Sequence, residues 1–86
     1  MNFVTESQNY TNITATTTVS TEPCAMLGIF VATASSSPSI AVTDGARTVV
    51  GSFVPSSSTF YAMPARTSTD LVVTLSGTIN CTVFWT

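Results

Sequence analysis

Thr78-Ile79-Asn80-Cys81-Thr82-Val83-Phe84-Trp85-Thr86 ends the chain and decides how the rest is read. Ile79, Cys81, Val83 and Trp85 are apolar at every second position, while Thr78, Asn80 and Thr82 between them are polar. Successive side chains of a strand point to opposite faces, so this alternation describes a β-strand with one face in a core. It persists to the penultimate residue, which predicts a strand paired and buried almost to Thr86. Only Phe84 breaks the polar face, which makes it a candidate contact residue.

The same period of two extends toward the N-terminus. Leu71, Val73 and Leu75 alternate within Asp70–Leu75, joined to the last strand by Ser76-Gly77, a plausible two-residue turn. Thr59–Met63 reads as a short strand stopped by Pro64, followed by a loop over Ala65–Thr69. Ile40–Thr43 and Thr48–Val54 flank Asp44-Gly45, the strongest short-range hairpin signal in the chain, and Pro55–Ser58 reads as a loop. Met26–Ala34 is apolar on both parities, with Leu27, Ile29 and Val31 on one face and Met26, Phe30 and Ala32 on the other. Such a strand is covered on both sides, so its second face needs a loop, an arm or a neighbouring subunit. Ser35–Ser39, containing Pro38, reads as a turn. Tyr10–Thr21, with Ile13, Ala15 and Val19 among threonines, reads as one half-buried strand ended by Glu22-Pro23. No stretch has a helical period. The expectation is an all-β domain over 10–86, a small antiparallel β-sandwich or flattened barrel of about seven short strands, preceded by an extended arm over 1–9.

Composition narrows the function. Of 86 residues, 44% are hydrophobic and 7% charged, with net charge −2 and no histidine, whereas ordinary soluble domains carry roughly 25% charged residues. Threonine and serine build the surface instead, and β-branched threonine favours strands. Two arginines, Arg47 and Arg66, supply no cationic stripe for phosphates, which argues against nucleic acid as a partner. A polybasic membrane anchor fails for the same reason, and the apolar run Cys24–Ala32 is about half the ~20 residues needed to cross a bilayer. The first ten residues carry neither a basic nor an apolar signal region, so synthesis and folding in the cytosol are expected. In that compartment Cys24 and Cys81 are expected to remain free thiols, buried as small hydrophobes. The triplets starting at Asn9, Asn12 and Asn80 fit the glycosylation pattern, but a threonine-rich chain produces such matches by chance.

Catalytic groups are scarce. Without histidine there is no side chain titrating near neutral pH, and the serines have no adjacent base and no nucleophile elbow. The acids Glu6, Glu22, Asp44 and Asp70 fall at strand ends or turns, with Asp44 read as a turn former. No phosphate-binding glycine motif occurs and two cysteines make no zinc set. The chain is therefore read as non-enzymatic and without a cofactor or metal. Phe30, Phe53, Phe60 and Trp85 fall on apolar parities and are expected in the core. Phe3, Tyr10, Tyr61 and Phe84 are less well placed for burial. With Met26 and Phe30, on the second face of the two-faced strand, they form the candidate interface, whether to a subunit or as a platform for sugars.

The segments Tyr10-Thr11-Asn12-Ile13-Thr14, Gly28-Ile29-Phe30-Val31-Ala32, Thr59-Phe60-Tyr61 and Gly77-Thr78-Ile79-Asn80-Cys81-Thr82-Val83-Phe84 resemble those of small virion proteins of tailed bacteriophages. The resemblance spans nearly the whole chain but rests on strand patterns. It implies a capsid decoration (cement) protein, made in the host cytoplasm and bound to the major capsid protein on the outside of the head. It also implies a homo-oligomer, a trimer being favoured. The alternative is a receptor- or glycan-contacting module of a phage fibre or spike. The shortage of charge agrees with assembly, because free sheet edges are usually guarded by lysine or inward charges and this chain has no lysine.

Overall fold

The computed structural model describes residues 9–86. The chain is all-β, one antiparallel sheet of six strands that does not close into a barrel. The strands are β1 (Asn9–Ile13), β2 (Thr17–Ser20), β3 (Ala25–Asp44), β4 (Arg47–Phe53), β5 (Thr59–Arg66) and β6 (Leu71–Trp85).

Two strands organise the others. β3 has 20 residues, which would measure about 66 Å if straight, yet the longest dimension of the molecule is 40 Å. β3 therefore doubles back, and β6 bends beside it. The bend lies where Ser35 pairs with Thr78 and Ser39 with Ser76, so β3 carries two more residues than β6 across the same turn of the sheet. Ser36 and Ser37 adopt left-handed φ of 59° and 57°, and Gly77 opposite them has φ 80°. A side chain at Gly77 would meet the Ser36 carbonyl at 2.7 Å and Pro38 Cα at 2.9 Å, so glycine is needed there for contact as well as for conformation.

Each short strand then pairs with one limb of a long one. β1 and β5 flank the limbs Thr78–Trp85 and Ala25–Ser35, whereas β2 and β4 flank Leu71–Ser76 and Ser39–Asp44. The two half-sheets face each other as a sandwich 18 Å thick in its shortest dimension. Ile29, Val31, Cys81 and Val83 of one half and Ile40, Val42, Leu71 and Val73 of the other are fully buried in a single core.

The free ends of the doubled strand are fastened to one loop. Thr67, itself buried, donates its backbone N–H to the Cys24 carbonyl at 2.7 Å, and its hydroxyl accepts the Cys24 N–H at 3.0 Å. The next residues hold the far end. The Asp44 carboxylate accepts the backbone N–H groups of Ser68 (2.8 Å), Thr69 (2.8 Å) and Asp70 (3.2 Å) and the Ser68 hydroxyl (3.2 Å). The Ser68 N–H and its companions hold the Asp44 carboxyl below its ordinary pKa, because they stabilise the ionised form against partial burial.

Several expectations shift. The described residues form six strands rather than about seven, and two of the strands are long. Ser35–Ser39 and Ser76-Gly77, read as chain-reversing turns, are matching bends inside continuous β3 and β6. Tyr10–Thr21 divides at residues 14–16, because the straight path past the bend of β6 is shorter than β6 itself: Ile13 pairs with Cys81 but Thr17 already with Val73. Across that gap the Thr16 hydroxyl accepts the Leu75 N–H at 3.0 Å and donates to the Leu75 carbonyl at 3.3 Å. Pro64 does not stop β5, which runs on to Arg66 with a register shift around the proline, as an edge strand permits. Asn9, assigned to the arm, is the first residue of β1 and pairs with Trp85. The Asp44-Gly45 hairpin is present, with Gly45 at φ 59° and Asp44 opposite Arg47. The final strand is paired to the end: Ala25 and Thr86 exchange backbone hydrogen bonds of 2.9 and 2.8 Å.

These details set two outcomes. Gly77→Ala is expected to destabilise by about 2–3 kcal/mol, since it adds a backbone clash to positive φ. Gly45→Ala should cost only about 1 kcal/mol, because its Cβ meets nothing closer than 3.5 Å. Equal losses in urea denaturation would show that the bend is not tightly packed. A lowered carboxyl pKa contributes stability that is present above the unfolded value and lost as pH falls through the folded one. The melting temperature should thus fall as the pH drops below the ordinary carboxyl range of about 4, and Asp44→Asn should be less stable at neutral pH with a flatter acid limb.

Candidate functional site

Two surfaces are left apolar by this architecture. The first is the outer face of the half-sheet containing β1 and β5. Its cross-strand rows are Tyr10–Phe84–Gly28–Ala62 and, two residues along, Asn12–Thr82–Phe30–Phe60. Tyr10 is 73% exposed, Phe60 51% and Phe30 39%, with Phe84 half-buried between them. The Phe60 ring reaches across β3, since a Cβ at Gly28 would lie 2.5 Å from its Cζ, and it meets Phe84 edge-on at 6.2 Å between centroids. Glycine at position 28 thus lets an aromatic ring lie down on the sheet. Beside the rings, Asn12 Nδ2 donates to Asn80 Oδ1 at 2.9 Å, to the Cys81 carbonyl at 3.0 Å and to Thr82 Oγ1 at 3.2 Å.

The second surface is the mouth of the sandwich, where β4 and β5 approach but do not pair. A cleft of about 550 Å³ opens there, lined by Val49, Val50 and Phe53 from β4 and Phe60 to Ala65 from β5. Phe53 and Tyr61 bridge it with ring centroids 5.1 Å apart. The Tyr61 hydroxyl accepts the Ser56 N–H at 2.8 Å, so the tyrosine is anchored and its ring forms a fixed wall. Register shifts between Ile40 and Thr43 leave extra residues on β4, a distortion that roughens this edge against further pairing.

The candidate interface residues separate accordingly. Tyr10, Phe30 and Phe84 come together on the outer face, and Tyr61 stands in the cleft. Met26 lies in the core at 1% exposed and is not on any surface. The reason is an extra residue at Leu27 relative to β6, which shifts register between Met26 and Gly28 and turns Met26 to the side of Ile29 and Val31. Phe3 lies outside the described residues. Phe30 and Phe60, expected in the core, are exposed, whereas Phe53 and Trp85 are half-buried against it. Trp85 donates its Nε1–H to Thr11 Oγ1 at 3.2 Å. Among the described residues, the second face of Met26–Ala34 is thus covered where Phe60 crosses Gly28. Phe60 was the residue missed as a surface group; its parity against Tyr61, which packs inward, carried the signal.

The two cysteines are free and buried. Burial pushes the Cys81 thiol up to about 11, so it is protonated and unreactive at neutral pH. Among the described residues no group of three or more Cys, Asp or Glu side chains converges as a metal site would require. Comparison with protein families, with curated proteins and with solved structures returns no match.

Exposure of the outer rings fixes their contribution to stability. Phe60→Ala should cost no more than about 1 kcal/mol, whereas a core truncation such as Ile29→Ala should cost about 2–5 kcal/mol. Thermal melts of the two variants check this, and a large loss at Phe60 would make the ring a structural element.

Proposed function

We propose that the chain is a non-enzymatic structural component of a bacteriophage virion, a decoration protein that attaches to the major capsid protein on the outside of the head. The observation that supports this best is the open mouth of the sandwich. Half-buried Val49, Val50, Phe53, Tyr61 and Met63 there form an apolar cleft between two edge strands, and no lysine guards the edges. Covering such a cleft by assembly removes apolar surface from water and stabilises a domain whose own core is small. Protein interfaces are depleted in charge at their centre and enriched in aromatic residues and methionine, which matches this lining. Copies of the chain seated around a symmetry axis of the shell, with a trimer favoured, would be covered in this way.

Pro64, exposed at the rim of the cleft, offers the test. Pro64→Asp should leave the unfolding free energy within about 1 kcal/mol of wild type while reducing co-sedimentation with emptied phage heads at least about tenfold. Protein counting on purified particles should find copies in hundreds. Copies in tens, or wild-type chain that ignores heads, would favour the fibre or spike reading instead.

A further inference from the structure

We infer that the outer face of the β1–β6–β3–β5 half-sheet is a binding site for a neutral glycan. Sugars present a C–H face that stacks on aromatic rings and a rim of hydroxyls that needs donors and acceptors beside those rings. Both halves of that requirement occur together here. Phe60 lies over Gly28 with its outward surface exposed, and Phe30, Phe84 and Tyr10 continue the apolar strip across the sheet. Three inter-strand spacings separate Phe60 from the β1 edge, about 14 Å, so the strip accommodates several sugar rings. In the row shared by Phe30 and Phe60 stand Thr82 and Asn12.

The amides are set in advance. Asn12 Nδ2 is held by Asn80 Oδ1, the Cys81 carbonyl and Thr82 Oγ1. That arrangement turns Asn12 Oδ1 and Asn80 Nδ2 into an acceptor and a donor side by side on an exposed edge, the pairing that adjacent sugar hydroxyls satisfy. Charge selects the ligand class. The outward residues of these rows, Tyr10, Asn12, Thr82, Phe84, Phe30, Phe60 and Ala62, include no charged side chain. The chain as a whole carries −2, so a sialylated or phosphorylated glycan would find no counter-charge within these rows. A second copy of the chain on this face would show as self-association, which the test reads separately from glycan binding. The inference is independent of where the protein is mounted.

The test is a titration of the full chain, followed by amide NMR, with linear neutral hexose and N-acetylhexosamine oligosaccharides and a sialylated oligosaccharide as counter-probe. A neutral oligosaccharide should give saturable shifts confined to the neighbourhood of Tyr10, Asn12, Phe30, Phe60, Asn80 and Phe84. Phe60→Ala and Asn80→Asp should each weaken it at least about tenfold, while Val54→Ser, exposed elsewhere, and Pro64→Asp leave it unchanged. Loss of head attachment in Pro64→Asp with intact glycan binding keeps the two surfaces distinct. Absence of saturable shifts at millimolar neutral glycan overturns the inference. So does wild-type affinity in Phe60→Ala, a preference for the sialylated probe, or self-association that Phe60→Ala abolishes in the absence of any glycan binding.

Discussion

The whole fold depends on keeping a single strand doubled over. β3 is too long to lie straight in a molecule of this size, and Cys24, just before its start, and Asp44, at its end, are held by consecutive residues of one loop, Thr67 and Ser68. At the other end of the U, Gly77 presses against the Ser36–Pro38 backbone, where the serines accept left-handed φ. Strain at Ser36 and Ser37 costs on the order of 1 kcal/mol or more each. It persists because the bend brings Ile29 and Val31 over Ile40 and Val42, and burying side chains of this size returns about 1.5–3 kcal/mol apiece. A carboxylate with four donors at the open end is the matching fastener, and among the described residues no buried side-chain polar atom lacks a partner.

Doubling the strand also determines what is left uncovered. The bend end is closed by crossing segments and by Thr16 bridging to Leu75. On the side of β4 and β5 the crossing loop 54–58 is held near the bend, at Ala32 and Ala34, and beyond it β4 is hydrogen-bonded to the late limb of β3 and β5 to the early one. An apolar cleft remains between them. The outer face of the half-sheet containing β1 and β5 carries rings because its glycine, Gly28, leaves no side chain in the way of Phe60. Cleft and ring face therefore adjoin along β5, whose inward Tyr61 and Met63 wall the cleft and whose outward Phe60 and Ala62 belong to the ring face while also reaching the rim of the cleft.

Most of the core was legible in the sequence. Ile79, Cys81 and Val83 alternate as a half-buried strand should, and so do Leu71 and Val73; all five are buried. The Asp44-Gly45 hairpin follows from local turn chemistry, which needs no distant partner. Phe84, Tyr10 and Phe30 were legible as surface candidates, but their grouping was not, because it depends on register between strands far apart in the chain. Met26 went the other way: one extra residue at Leu27 reverses parity, and a bulge has no composition of its own when every neighbour is apolar.

The sequence by itself determined an all-β chain with little charge, no histidine and strands over Met26–Ala34, Ile40–Thr43, Asp70–Leu75 and Thr78–Thr86, because alternation and turn propensity are local properties. Only the tertiary structure decided that Ser35–Ser39 and Ser76-Gly77 bend strands instead of ending them. A serine-rich or serine-glycine stretch looks the same in either role, and the difference lies in whether the flanking residues keep pairing with a strand dozens of positions away. From that long-range pairing came the doubled sheet, the cleft between β4 and β5, and the meeting of Tyr10, Phe30, Phe60 and Phe84 on one face.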